Sequence, residues 1–147
     1  MSLPSQFKKE NTENIFIYHY VEEMVRDYGK YLTKVFHDEN ITKTEVPFLL
    51  RIRFNDKPTQ KDLVELFKVS EGYTAKLLRK FEDLGYITRC EDPKNRRKKL
   101  VKITPEGIKK TDELIKLIDN WEIRITSNMS DDEIKLLKSL LFKVVEP

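Results

Sequence analysis

This chain is poor in the residues that most enzymes and secreted proteins depend on. It has one cysteine, so no disulfide can form within it, which fits a reducing cytoplasm. His19 and His37 are its only histidines, and neither has a cysteine or a second ligand at metal-binding spacing, so no metal is expected. Four glycines and six prolines in 147 residues point to helices with few tight turns. No apolar run approaches the roughly 18 residues needed to span a bilayer, and no charged-then-apolar leader opens the sequence. G-x-S-x-G, H-E-x-x-H and glycine-rich phosphate loops are all missing. The expectation is a cytoplasmic protein that is not an enzyme, carries no cofactor and does not enter a membrane.

What is present is charge, unevenly placed. Charged residues make up 36% and hydrophobic ones 39%, enough for one domain with a real core. Between Lys76 and Lys102 stand ten Lys/Arg and four Asp/Glu, a net of +6, against a net of −3 for the rest of the chain. Positive charge gathered on one segment of an otherwise slightly acidic chain suggests a surface that faces a polyanion.

The apolar periodicity predicts a mainly α protein with one small β-hairpin. A long helix is expected over 14–38, with Ile17, Val21, Met24, Tyr28, Tyr31/Leu32 and Val35 recurring every three or four residues. Phe16, Tyr18, Tyr20 and Phe36 widen that stripe beyond one neighbour's need, so a second subunit is expected against it. Thr44 is read as the cap of a helix ending near Phe54, buried through Val46, Leu49, Leu50 and Ile52. Thr59 caps a short helix, Gln60 to Phe67. After Lys68-Val69, Ser70 caps another that runs to about Leu84 with Thr74, Leu77, Leu78 and Phe81 inward and Gly85 as its left-handed stop. Strands are expected at 86–89 and 100–103, joined by the basic loop Cys90–Lys99. Thr104-Pro105-Glu106 starts a helix carrying Ile108, Ile115, Ile118, Trp121 or Glu122, and Ile125. Ser130 and Glu133 form the capping box of a last helix, with Ile134, Leu137, Leu140, Leu141 and Val144.

The two capped helices around Lys68-Val69 have helix-turn-helix spacing, in which the second helix enters the major groove of DNA. Its outward positions include Gly72, Tyr73, Lys76, Arg79 and Lys80. Of these, Tyr73 and Lys76 are placed for bases, and Arg79 and Lys80 for phosphates. Ser70, Thr59 and Gln60 open helices whose N-termini suit a phosphate oxygen. Helix pairs of this kind are common in helical cores, and basic hairpin tips are common on surfaces. Both together, in this order, read as a winged helix whose wing carries Lys94, Arg96, Arg97 and Lys98.

Residues 59–107, "TQKDLVELFKVSEGYTAKLLRKFEDLGYITRCEDPKNRRKKLVKITPEG", resemble the MarR family of winged-helix transcriptional regulators. The resemblance rests on the wing motif D-P-x-x-R-R at Asp92–Arg97 and the return V-x-[IL]-T-x-x-G at Val101–Gly107. It implies a homodimer on a pseudo-palindromic double-stranded DNA operator, repressing transcription until a small phenolic or anionic ligand releases it. It also implies a division into an N-terminal dimerisation region (1–43), a winged helix-turn-helix lobe (44–104) and C-terminal dimerisation helices (105–147). Either Arg97 or Arg96 would reach the minor groove. Three positions depart from the family pattern. Asn95 stands where a second wing acid is usual, Gly72 and Ala75 where Ser or Thr is frequent, and Lys68 where a turn glycine is common and a positive φ would strain it. His19, Tyr20 and Arg51 are candidates for the effector, and Arg53 is a second possible counter-ion. Cys90, in the first wing strand, is read as packing rather than as a redox switch. The alternative function is a winged helix that docks another protein without specific DNA binding.

Overall fold

The computed structural model describes residues 3–147. A 3-10 helix, Lys9–Asn14, precedes α1 (Ile17–Val35), α2 (Val46–Arg53), α3 (Gln60–Phe67) and α4 (Glu71–Asp83). The antiparallel hairpin β1 (Ile87–Asp92) and β2 (Asn95–Ile103) follows, then α5 (Pro105–Ile125) and α6 (Asp131–Val145). The mainly α architecture with one hairpin is the expected one.

The core lies where α2, α3, α4, the hairpin base and α5 meet. Phe81, Leu49, Leu63 and Leu78 are wholly buried there, joined by Ile52, Ile87 and Val101. Each contributes on the order of 1.5–3 kcal/mol through the apolar surface it removes from water. All four inward positions expected of α4, Thr74, Leu77, Leu78 and Phe81, are buried. Thr74 is tolerated there because its hydroxyl donates to Ser70 O at 3.0 Å.

Four expectations need correction. First, α1 begins at Ile17, because Phe16 is extended (φ −64°, ψ 143°) and separates the helix from the 3-10 turn. Second, Thr44 does not cap α2. Glu45 occupies that position, and its carboxylate instead accepts the Thr42 N–H at 2.9 Å, closing the preceding turn. Third, the Cys90–Lys99 segment is mostly strand. Only Pro93 and Lys94 lie between β1 and β2. Fourth, α5 buries Gly107, Thr111 and Leu114, whereas Ile108 is 40% exposed.

Gly107 explains the last shift. A Cβ there would stand 2.1 Å from Tyr86 O and 2.7 Å from Ile103 Cγ1. Only glycine lets α5 sit so close to the hairpin base. Thr104 fastens the same joint: its N–H donates to Tyr86 O at 3.0 Å and its hydroxyl to Gly85 O at 2.5 Å, while its Oγ1 caps α5.

Outside this core the outer helices are half-covered. Asp27 of α1 accepts from Trp121 Nε1 at 2.8 Å and pairs with Arg124 at 2.6 Å, both on α5. The indole N–H, ahead of the guanidinium, holds Asp27 below the usual carboxylate range. Yet of α1's apolar stripe only Leu32 is buried, and α6 buries none of its residues. Ile17 is 71% exposed and Val145 75%.

Candidate nucleic-acid interface

Local chemistry places the helix-turn-helix. At the start of α3, Thr59 Oγ1 accepts the Asp62 N–H at 3.0 Å and Asp62 returns the bond to the Thr59 N–H at 2.9 Å. Lys68 ends α3 in the left-handed region at φ 55°, where a glycine would sit without strain. Ser70 Oγ then accepts the Tyr73 N–H at 3.1 Å and opens α4. The remaining first-turn N–H groups of α4 stay at the exposed end of the helix, where the macrodipole favours an anion. Gly72, Lys76 and Arg79 recur along its solvent face, opposite the buried row. Tyr73, 40% exposed, stands edge-on to Phe48 at 6.0 Å, and Phe48 stands edge-on to Phe67 at 4.9 Å. Those rings fix one side of the phenol and leave the other in solvent.

The wing is built by a slip in the ladder. Ile87, Thr88, Arg89, Cys90 and Glu91 pair in order with Ile103, Lys102, Val101, Leu100 and Lys99. The next residue of β1, Asp92, pairs with Asn95. Arg96, Arg97 and Lys98 therefore have no partner across the ladder, and the strand bulges outward at the three cations. Asp92 Oδ1 accepts the Lys94 N–H at 2.9 Å to shape the turn, and Asn95 Oδ1 accepts the Arg97 N–H at 3.2 Å. The Asn95 departure thus shows as a backbone brace rather than an ion pair. Val101 N–H donates to Pro58 O at 2.8 Å and Leu100 bridges to Thr59, so β2 is anchored to the start of α3.

Between α3 and the wing lies a groove of about 870 Å³, lined by Thr59, Gln60, Lys61, Arg89, Arg97 and Lys98 among others. It brings four of the expected contact residues, Thr59, Gln60, Arg97 and Lys98, to one place. Among the described residues, Lys76, Arg79, Lys94, Arg96, Arg97 and Lys98 form no ion pair within the chain, so their charge is available to a polyanion, that of Lys98 shared in part with nearby Asp62. Lys80 is different. It pairs with Glu45 at 2.8 Å, tying α4 to the start of α2, and its charge is already answered. Burial raises the Glu45 pKa, but Lys80 and the Thr42 N–H outweigh it and hold the carboxyl below its ordinary value.

Arg89 entered the sequence reading only as one of the ten cations, and its role in the site was missed. Its Nε meets Glu82 at 2.5 Å and its guanidinium reaches Gln60 Oε1 at 3.4 Å, joining β1, α4 and α3. The available signal was Glu82 itself, an acid near the C-terminal end of a helix where the dipole disfavours it.

The effector candidates are less coherent. Tyr20 donates to Thr12 O at 3.3 Å and stands edge-on to Phe7, tying the N-terminal segment to α1. His19 lies against Phe16 and Tyr18, and its Nδ1 is buried without a partner among the described residues. Arg51 is exposed on α2, and no hydrogen bond, ion pair or ring contact joins it to either among the described residues. Arg53 is committed to structure, bonding Ile108 O and Thr111 Oγ1 and pairing with Asp112 at 3.0 Å. Cys90 is a half-buried free thiol opposite Leu100. No described helix is long and apolar enough to cross a membrane.

A capped helix pair joined by a tight turn, followed by an anchored hairpin with an extruded basic edge, defines a winged helix-turn-helix protein. Residues 41–99 match the model of the MarR family. The HTH-type transcriptional regulator BilQ of Clostridium symbiosum is 25% identical over 132 residues, covering 90% of this chain and 91% of BilQ. A crystal structure of MarR superposes with a TM-score of 0.74 at 27% identity, over 90% of each chain. A mutant MarR from E. coli complexed with operator DNA superposes at 0.68 and 24% identity, over 90% of this chain and 96% of that one. Over residues 41–99 the chain is thus similar to the MarR family of winged-helix transcriptional regulators, and its fold is that of the MarR structure.

Proposed function

We infer that this regulator acts in the cytoplasm as a homodimer that binds a pseudo-palindromic duplex and represses transcription. The observation that carries this reading is the ladder slip, which leaves Arg96, Arg97 and Lys98 unpaired, the last two on a groove shared with the start of α3 and with Glu71 of α4. In this reading Tyr73 and Lys76, beside Gly72, meet bases in the major groove, while Ser70 and Arg79 meet phosphates. Thr59 and Gln60 meet phosphates, and the wing reaches the neighbouring minor groove with Arg96 or Arg97. Lys94 and Lys98 add backbone attraction. Lys80 acts only if it leaves Glu45.

Residues 1–43 and 105–147 supply the dimer contacts, and 44–104 form the reading lobe. Supporting this, α1, α5 and α6 border an apolar groove of about 460 Å³ containing Met24, Tyr28, Trp121 and Leu141. A dimer would hold its two recognition helices one turn of DNA apart, roughly 34 Å. A small phenolic or anionic ligand releases repression by favouring a different separation, a coupling of about 1–3 kcal/mol. His19, Tyr20 and Arg51 remain the side chains proposed for it.

Selection of duplexes from random-sequence DNA tests the reading, followed by anisotropy titrations at several salt concentrations. An enriched two-fold motif bound with steep salt dependence is expected. Enrichment of no sequence, or a flat salt profile, would overturn it in favour of a protein-docking winged helix.

A further inference from the structure

We propose that Glu82 and Arg89 form a positioning pair that sets the pitch of the wing relative to the recognition helix. The inference rests on the DNA-binding reading above and concerns how that site is held in shape. The hairpin is fastened to the lobe along β2, by Val101 to Pro58 and by the Leu100–Thr59 bridge, and is closed at its base by Thr104 to Tyr86. Bonds made along one strand leave a two-stranded ribbon free to roll about that strand. Arg89 stands opposite Val101 on β1, the strand across from the one that carries the basic edge. Its Nε bond to Glu82 at 2.5 Å runs from the ribbon to the last turn of α4, as a strut runs from a hinged arm to its post.

The same guanidinium holds Gln60 Oε1 at 3.4 Å. With its oxygen occupied, the Gln60 amide presents Nε2, a donor, to the groove shared with Arg97 and Lys98. One cation thus orients three pieces of the interface: the wing, the C-terminal end of α4 and the first residue of α3. Arg89 acts through the others and is therefore a positioning residue. Glu82 is what keeps it from turning toward DNA.

This reading makes an unusual demand on Glu82. Removing an acid beside a polyanion site ordinarily strengthens binding, because repulsion is lost and its partner cation is freed. A positioning role requires the opposite sign. The test is anisotropy titration of a duplex selected with the wild-type protein, using Glu82→Ala, Glu82→Gln, Arg89→Ala and the Glu82→Ala/Arg89→Ala double variant. Melting by circular dichroism defines a temperature at which all are folded.

Both Glu82 variants should weaken dimer binding by about three- to thirtyfold, from two half-exposed pairs each worth up to about fivefold. The double variant should bind no more weakly than Arg89→Ala, since the two residues act as one unit. Tighter binding by Glu82→Ala would show Arg89 to be a direct DNA ligand restrained by its acid, overturning the proposal. Affinity unchanged within twofold, with only a lower melting temperature, would show a merely structural pair and overturn it too. If the wild-type protein selects no duplex, it is the DNA-binding reading that fails.

Discussion

Replacing Arg96 and Arg97 together by alanine isolates the wing's contribution. Both side chains are exposed, form no ion pair among the described residues and stand in the stretch that lacks ladder partners. The fold should hardly notice their loss, with a stability change within about 0.5 kcal/mol. DNA binding should notice a great deal. Two cations per protomer make four per dimer, and each neutralised phosphate contributes about 0.9 to the slope of log K against log salt. The slope should therefore flatten by up to about 3.6. Between about 50 and about 200 mM salt, a fourfold range, the wild type should lose roughly a hundredfold more affinity than the variant. Anisotropy titrations across that range read the slope, and sedimentation velocity reads the assembly state. A slope change below about 1 would mean the extruded cations do not meet the backbone. Conversion to a monomer would mean this hairpin is an assembly contact rather than a wing.

Three further outcomes follow from the joints of the fold. Gly107→Ala drives a methyl group toward Tyr86 O and should cost about 1–3 kcal/mol, seen as a lower urea midpoint with an unchanged slope. Lys68→Gly should be neutral or raise stability by up to about 1 kcal/mol, because it relieves a left-handed residue at some cost in unfolded-chain entropy. Acid should unfold the protein by a defined route. Burial pushes Asp38 and Glu45 up, but Lys110 and Lys80 with nearby N–H groups hold both below their ordinary values of 3.8 and 4.5. Groups depressed in the folded state stabilise it above the unfolded value, so the urea midpoint should be flat near neutrality and fall as pH drops through that range. Asp38→Asn should flatten part of the fall.

The capped starts of α3, α4, α5 and α6 were all legible because Thr59, Ser70, Thr104 and Ser130 act through local bonds their own sequence neighbours provide. Gly85 as a left-handed stop was legible for the same reason, and its φ is 78°. Misreadings arose where backbone bonds or tertiary contacts decide. The strands extend into Cys90–Lys99 because ladder bonds do not depend on the charge of the side chains they carry. Alpha-helical periodicity pointed to Ile108, which the close approach at Gly107 leaves 40% exposed, while the expected Ile115 and Ile118 do pack on the core. Lys80 and Arg89 counted as free cations until folding brought Glu45 and Glu82 beside them, one across 35 residues and one across seven. The candidate site was therefore readable as a set of charges but not as a division between those that bind outward and those that brace inward.

The slack stretch in β2 bears on how such a protein can change. In a regular hairpin, inserting or deleting one residue moves every later side chain to the opposite face and exposes the core. Here pairing resumes at Lys99 and Leu100 beyond the three cations, and Val101 is buried against the lobe. The length and identity of that stretch are uncoupled from the register that keeps the domain folded. A change in that stretch would thus alter what the hairpin edge touches while leaving the scaffold beneath it in register.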